Sequence, residues 1–317
     1  MTHSAGTSIP LRSRITGALL GGALGEAAAE SPEGSAFADA TQLTLYTVDG
    51  MTEALEWAND GVAADETACL WLAYLRWLGT QGETPPSSAP APPARWIDGQ
   101  EVLHRRRHPD GTSVRALRSG EMGSRQRPLE PDDDGPGALQ RSAPFGLVAN
   151  VPGAMIEKLT LDAAAITHGN SAAQLPAAVY SALIHAIAVQ ESALAEAVDA
   201  SAEHAATLGA SALSERLRSI GTASPARPAN DAGGVLCEAV RLVLATASDD
   251  GAASVEALLA AAAAQEGPGA TGVGSVAGSI AGALYGRASL PRAACERLEG
   301  TDVIEELAGR FATAMGA

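Results

Sequence analysis

The chain has 317 residues and a formal net charge of −16, with 46% hydrophobic, 18% charged and only 3% aromatic residues. That length is enough for one large core, and so few aromatics among so much alanine and leucine favour helices packed by small side chains over sheet surfaces. The acidic balance excludes a broad basic footprint for nucleic acid or for an anionic membrane, and neither is expected as a partner.

Residues 1–13 (MTHSAGTSIPLRS) lack the charged start and continuous apolar core of a secretory signal. They are expected to be a disordered N-terminus ahead of one compact multi-helix domain over 14–317. Apolar spacings of three and four then predict helices at Arg14–Ala29, Thr41–Ala58 and Asp65–Leu78. Gly82–Ala94 carries five prolines and reads as a surface loop, and Gly120–Gly137, with Asp132, Asp133 and Asp134, reads as a second long polar loop. Further helices are predicted at Ile156–Ile166, Ala172–Val189, Ser192–Leu208, Gly234–Ala247, Val255–Ala264, Val273–Tyr285 and Thr301–Met315, with no alternating strand pattern between them. The fold class is all-α. The most apolar stretches, Ile15–Leu24 and Val276–Tyr285, are too short to span a bilayer. Cys69, Cys237 and Cys295 are odd in number and widely separated, so they read as reduced core thiols in a cytoplasmic protein.

Chemistry-bearing elements follow in order. The first helix contains GALLGGALGE (Gly17–Glu26), and Glu33 follows it. Next come ADATQLT (Ala38–Thr44), GALQRSAPFG (Gly137–Gly146) and THGN (Thr167–Asn170). Gly269-Ala270-Thr271-Gly272 then leads into AGSIAGALYG (Ala277–Gly286). Taken together, these elements resemble the ADP-ribosylglycohydrolase family over roughly 14–286: its opening GxLLGxAxGDA helix, its (T/S)DDTQ(L/M)T element, its GxxMRxAPxG segment, its THxD element and its DTDTxxxxAGxxxGAxYG tail.

The resemblance implies an all-helical hydrolase that removes ADP-ribose from a modified acceptor. Two magnesium ions would sit in a cleft, and a nearby carboxylate would transfer the proton. Here Glu26 and Asn170 stand where the family has Asp. Of four positions that carry metal-binding carboxylates in the family, Asp39 remains, whereas Ala40, Gly269 and Thr271 supply none. Magnesium needs several converging hard oxygens, so no cofactor is expected and magnesium binding should be weak or absent.

By family position Glu33 and Asp39 are the candidate acid–base groups, and Thr41, Arg141, His168, Asn170 and Gly269–Gly272 the candidate ligand contacts. The turn 267–274 feeds a helix whose N-terminal N–H groups suit a diphosphate, and Arg141 with Arg105–Arg107 offers further anion contacts. Read blandly, Asp39 is the N-cap of a helix starting near Thr41, Glu33 is a solvated surface acid, and His168 is a capping or core histidine. His104 and His108, with arginines between them and Pro109 after, form a solvated basic turn. Asp132–Asp134 is a solvated acid run, with a replacement cation site as its alternative, and Trp57, Trp71 and Trp77 are helix packing.

Three functions follow. The first is a degenerate family member that binds ADP-ribose or a related nucleotide or diphosphate with weak or no classical hydrolysis. The second is an enzyme of altered, metal-independent or differently metallated chemistry. The third is an interaction module docking through the long loops. Asp39, Thr41, His168 and the Gly269–Gly272 turn are expected to converge on one pocket.

Overall fold

A computed structural model describes residues 8–31, 33–221 and 230–317. Its helices run α1 (Leu11–Glu30), α2 (Asp39–Asn59), α3 (Glu66–Thr80), α4 (Gly111–Arg118), α5 (Gly137–Gln140), α6 (Ala143–Gly146), α7 (Gly153–Ala165) and α8 (Ser171–Ala188). They continue with α9 (Leu194–Thr207), α10 (Ser211–Arg218), α11 (Ala232–Thr246), α12 (Gly251–Ala263), α13 (Ala270–Tyr285), α14 (Arg292–Arg297) and α15 (Thr301–Ala314). No strand occurs among the described residues.

Every helix expected from periodicity is present, with ends shifted by a few residues. α1 starts at Leu11, so residues 11–13 are helical and not part of a disordered tail. Pro10 precedes it at φ −57°, already set for a helix start. Residues 1–7 of the expected disordered segment lie outside the described residues. The short helices α4, α5, α6, α10 and α14 were not expected, because one or two turns carry too few residues for a periodic signal.

Two helices organise the core. α1 lies against α13 along its length, with α12 and α15 beside it, and α2 packs between α3 and α15. Glycines make the first pairing: a Cβ on Gly17, Gly21 or Gly25 would run into the backbone carbonyls of Gly282, Gly278 and Gly274 respectively. α8 packs against α6, α7, α9, α11 and α13. It is long and apolar enough to cross a membrane by length and composition, but 72% of it is buried here and it serves as a core helix. The buried apolar side chains from both ends of the chain form one continuous core. Of the tryptophans, Trp77 is fully buried and donates to Gln42 Oε1 at 3.1 Å, whereas Trp57 is 47% exposed and stands off the core.

Candidate functional site

The site begins with a helix that has no cap of its own. Ala38 precedes α2 and has no side-chain oxygen for the free N–H groups of the first turn. Glu26 of α1 reaches across instead. One of its oxygens accepts from Ala40 N at 3.1 Å, and the other accepts from Thr41 N at 3.1 Å and from the Thr41 hydroxyl at 2.6 Å. The positive end of the α2 dipole favours this carboxylate. Burial raises the Glu26 pKa, and the bonds from Thr41 and the α2 backbone oppose that rise.

Asp39 is the first residue of α2 and not its N-cap. Its Oδ2 accepts from the Asp110 backbone N–H at 2.7 Å. Burial, and after it the nearby charges of Glu26 and Asp110, push its pKa well above the usual carboxylate range despite that bond. Asp110 in turn caps α4, accepting from Thr112 N at 3.3 Å and Ser113 N at 2.8 Å. Its Oδ2 lies 3.5 Å from His168 Nε2.

His168 is fully buried. Burial lowers its pKa to about 4, against the pull of Asp110, so the imidazole is neutral at physiological pH and Nε2 has no hydrogen-bond partner. Its Nδ1 lies 2.8 Å from the Thr167 hydroxyl, which accepts from Arg141 at 2.7 Å. Arg141 also donates to Ser113 Oγ at 3.1 Å and rests on the Tyr74 ring, 4.6 Å from its centroid. Its charge is thus spent inside the fold.

The start of α13 closes the arrangement. Gly269 precedes it, Ala270 and Gly272 are buried, and a Cβ on Gly272 would fall 2.7 Å from Gln140 Nε2. The Gln140 carbonyl accepts from Thr44 Oγ1 of α2 at 3.3 Å, and Gly274 abuts the backbone of Gly25. Gly137 leaves space for the Asp110–His168 pair: a Cβ there would lie 2.5 Å from Asp110 Oδ2 and 3.0 Å from His168 Cε1. Asp39, Thr41, Arg141, His168 and the 269–272 turn are therefore linked through α1, α2, α4, α5 and α13.

Other candidates fall elsewhere. Glu33 is exposed on the α1–α2 connection and makes no hydrogen bond or ion pair with a described residue. Asn170 caps α8, accepting from Ala172 N at 2.9 Å. The Arg105–Arg107 run is not free for an anion: Arg105 and Arg107 pair with Glu299, and Arg106 with Glu83. Asp133 is tied to Thr112 Oγ1 at 2.6 Å and Gly135 N at 2.9 Å. Burial pushes it up, yet these bonds prevail and hold its pKa below the ordinary value. His104 Nε2 meets the Asp98 carbonyl at 2.8 Å.

One central residue, Asp110, and the role of another, Glu26, escaped sequence reading. Asp110 stands before Gly111-Thr112-Ser113, an N-cap signal that was available. The capping role of Glu26 had none, because its partners belong to another helix.

A family model described as ADP-ribosylglycohydrolase matches residues 7–317. A solved structure described as an "ADP-ribosylglycohydrolase-related protein complex" superposes with a TM-score of 0.66, covering 96% of this chain and 99% of that one at 21% identity. That likeness is one of fold. No curated relative matches the chain.

Proposed function

The chain belongs to the ADP-ribosylglycohydrolase family, and on that footing we propose that its cleft binds ADP-ribose or a related nucleotide or diphosphate without the family's two-magnesium hydrolysis. The observation that carries this reading is the commitment of the oxygens around α2. Both Glu26 oxygens are taken by the α2 N–H groups and Thr41, and the Thr41 hydroxyl donates to Glu26. Asp39 already accepts from Asp110 and is biased towards its neutral form. Gly269 and Thr271, at the start of α13, bring no carboxylate. A pair of magnesium ions needs charge neutralisation from several hard anionic oxygens, and this donor set does not fit it.

Recognition draws on what is left. The N–H groups opening α13, a sixteen-residue helix, suit a diphosphate, and the loss of acids at 269 and 271 removes repulsion there. Asp110, half-buried and backed by the fully buried His168, offers a polar contact to a sugar or base. Calorimetry with ADP-ribose, with and without magnesium, tests the reading. Binding of similar strength in both is expected, with no ADP-ribose released from modified arginine or serine peptides. Magnesium-dependent release would overturn it.

One observation favours a second reading, metal-independent acid catalysis. Asp39, whose pKa burial and then Glu26 raise well above the ordinary carboxylate value, is biased towards the protonated form a general acid requires. Turnover that survives chelation and is lost in Asp39→Asn would establish it. Glu33, exposed on the α1–α2 connection, is the alternative proton donor, tested by Glu33→Ala in the same assay.

A further inference from the structure

Away from that site, α7, α8 and α9 border a half-open cavity of about 350 Å³. It exists because small residues line the three helices. Gly153 and alanines including Ala182 and Ala200 form much of its wall, and a Cβ built on Gly153 would meet nothing within 4 Å. A space of this size falls within the range of sites for small organic ligands.

The polar groups at its wall are His185, Glu157 and His204, with the Gln190 amide and Ser201, whose hydroxyl donates to the Ala197 carbonyl. His185 is 7% exposed, and its Nδ1 lies 3.2 Å from the Gly146 carbonyl. A carbonyl only accepts, so Nδ1 carries the hydrogen, and burial lowers the pKa of the ring against that bond. In the neutral imidazole Nε2 is then a bare acceptor, and it has no partner among the described residues. Glu157 adds a carboxylate, 3.5 Å from His204 Nε2 and a third exposed. No lysine or arginine lines the cavity. A phosphate or carboxylate would find no counter-charge here and would face Glu157, whereas a ligand rich in N–H donors would find acceptors waiting.

We propose that this cavity is a second binding site, separate from the nucleotide cleft, that takes a small organic amine. The ammonium and its N–H groups meet Glu157 and His185, and the apolar body lies along the alanines. The reading does not depend on what the main cleft binds.

Benzylamine and benzoate share ring and size and differ in charge, which makes them suitable probes for the whole chain. Titration followed by nitrogen-15 spectra of the histidine rings and by calorimetry should show benzylamine shifting the His185 signals, with benzoate leaving them unmoved. Glu157→Gln should weaken benzylamine about tenfold, as expected for loss of a charge-assisted contact. Ala182→Leu, which fills the cavity, should abolish the shift while thermal melts confirm that the chain still folds. If that variant does not fold, Glu157→Gln decides alone. Silence of His185 towards benzylamine, benzoate binding of equal strength, or full affinity in Glu157→Gln would each overturn the proposal.

Discussion

At the scale of single residues, the start of α2 holds groups whose burial and charge environments oppose each other. Asp39 has its folded pKa raised well above the ordinary 3.8, first by burial and then by Glu26 and Asp110. A raised pKa means the fold prefers the protonated acid. The contribution is therefore fully present below the unfolded pKa and is lost as pH rises through the folded value. At neutral pH the Asp39 charge weakens the fold, and Asp39→Asn keeps an oxygen for the Asp110 N–H while removing that charge. The variant should melt higher at pH 7.5, and the gain should fade towards pH 4; an unchanged or lower melting point at pH 7.5 would refute this. His168 runs the other way. Its folded pKa of about 4 lies below the ordinary 6.5, so its contribution is present above pH 6.5 and is lost as pH falls towards 4, where the unfolded chain takes up a proton the fold refuses. Proton spectra should show the His168 ring still neutral at pH 5.5. A midpoint near 6.5 would mean that the ring is solvated or firmly paired with a charged Asp110.

At the scale of elements, the α1–α13 pair decides the geometry, and it does so through absent side chains. Gly21 and Gly278 face each other so closely that a Cβ on either would enter the other's carbonyl oxygen. Gly278→Ala must push the helices apart and should cost about 3 kcal/mol, the upper end of ordinary overpacking, because the obstacle is backbone that cannot rotate away. It should also weaken the proposed ADP-ribose binding, since that proposal relies on the N–H groups opening α13. Gly79, in an exposed part of α3 with nothing within 4 Å of its would-be Cβ, is the control: Gly79→Ala should gain about 0.5–1 kcal/mol from helix propensity alone. Equal effects at the two positions, read from urea melts, would show that the pair is not close-packed. Much of this was legible in the sequence. The glycines at 17, 21, 25, 278 and 282 mark both helices and their contact faces, and each long helix announces itself by spacing. The site was legible in part. Of the motif positions, 270–272, read as a turn, form the first turn of α13, and His168 is fully buried; the Glu26 cap on α2 is a contact between helices and leaves no local pattern. Arg105 and Arg107 read as free positive charge because their partner Glu299 lies nearly two hundred residues away in the chain.

At the scale of the whole molecule, the first helix is completed by the last quarter of the chain. α12, α13 and α15 cover α1, α15 also covers α2, and Asn59 at the end of α2 donates to the Ala314 carbonyl at 2.8 Å. The N-terminal hairpin of α1 and α2 thus has little core of its own, because Ile15, Leu20 and Leu24 are buried largely by residues that come more than two hundred positions later. The buried ion cluster adds to this dependence. Asp49 of α2 pairs with Arg76 of α3 at 2.5 Å and with Arg95 at 3.0 Å, and a buried carboxylate deprived of one such partner is strongly destabilising. Arg76 lies before the proline-rich loop 82–94 and Arg95 just after it, so a break in that loop separates Asp49 from one of its two cations and α1 from its whole cover. The chain should therefore unfold as one cooperative unit despite its length and its long loops, giving a single calorimetric transition with matching van't Hoff enthalpy. Produced as two pieces, 1–88 and 89–317, the shorter should be unfolded alone by circular dichroism and should gain helix only when mixed with the longer. A helical, cooperatively melting 1–88 fragment, or two separated transitions in the intact chain, would mean that the N-terminal helices hold a core of their own and that the α1–α13 contact joins two finished units.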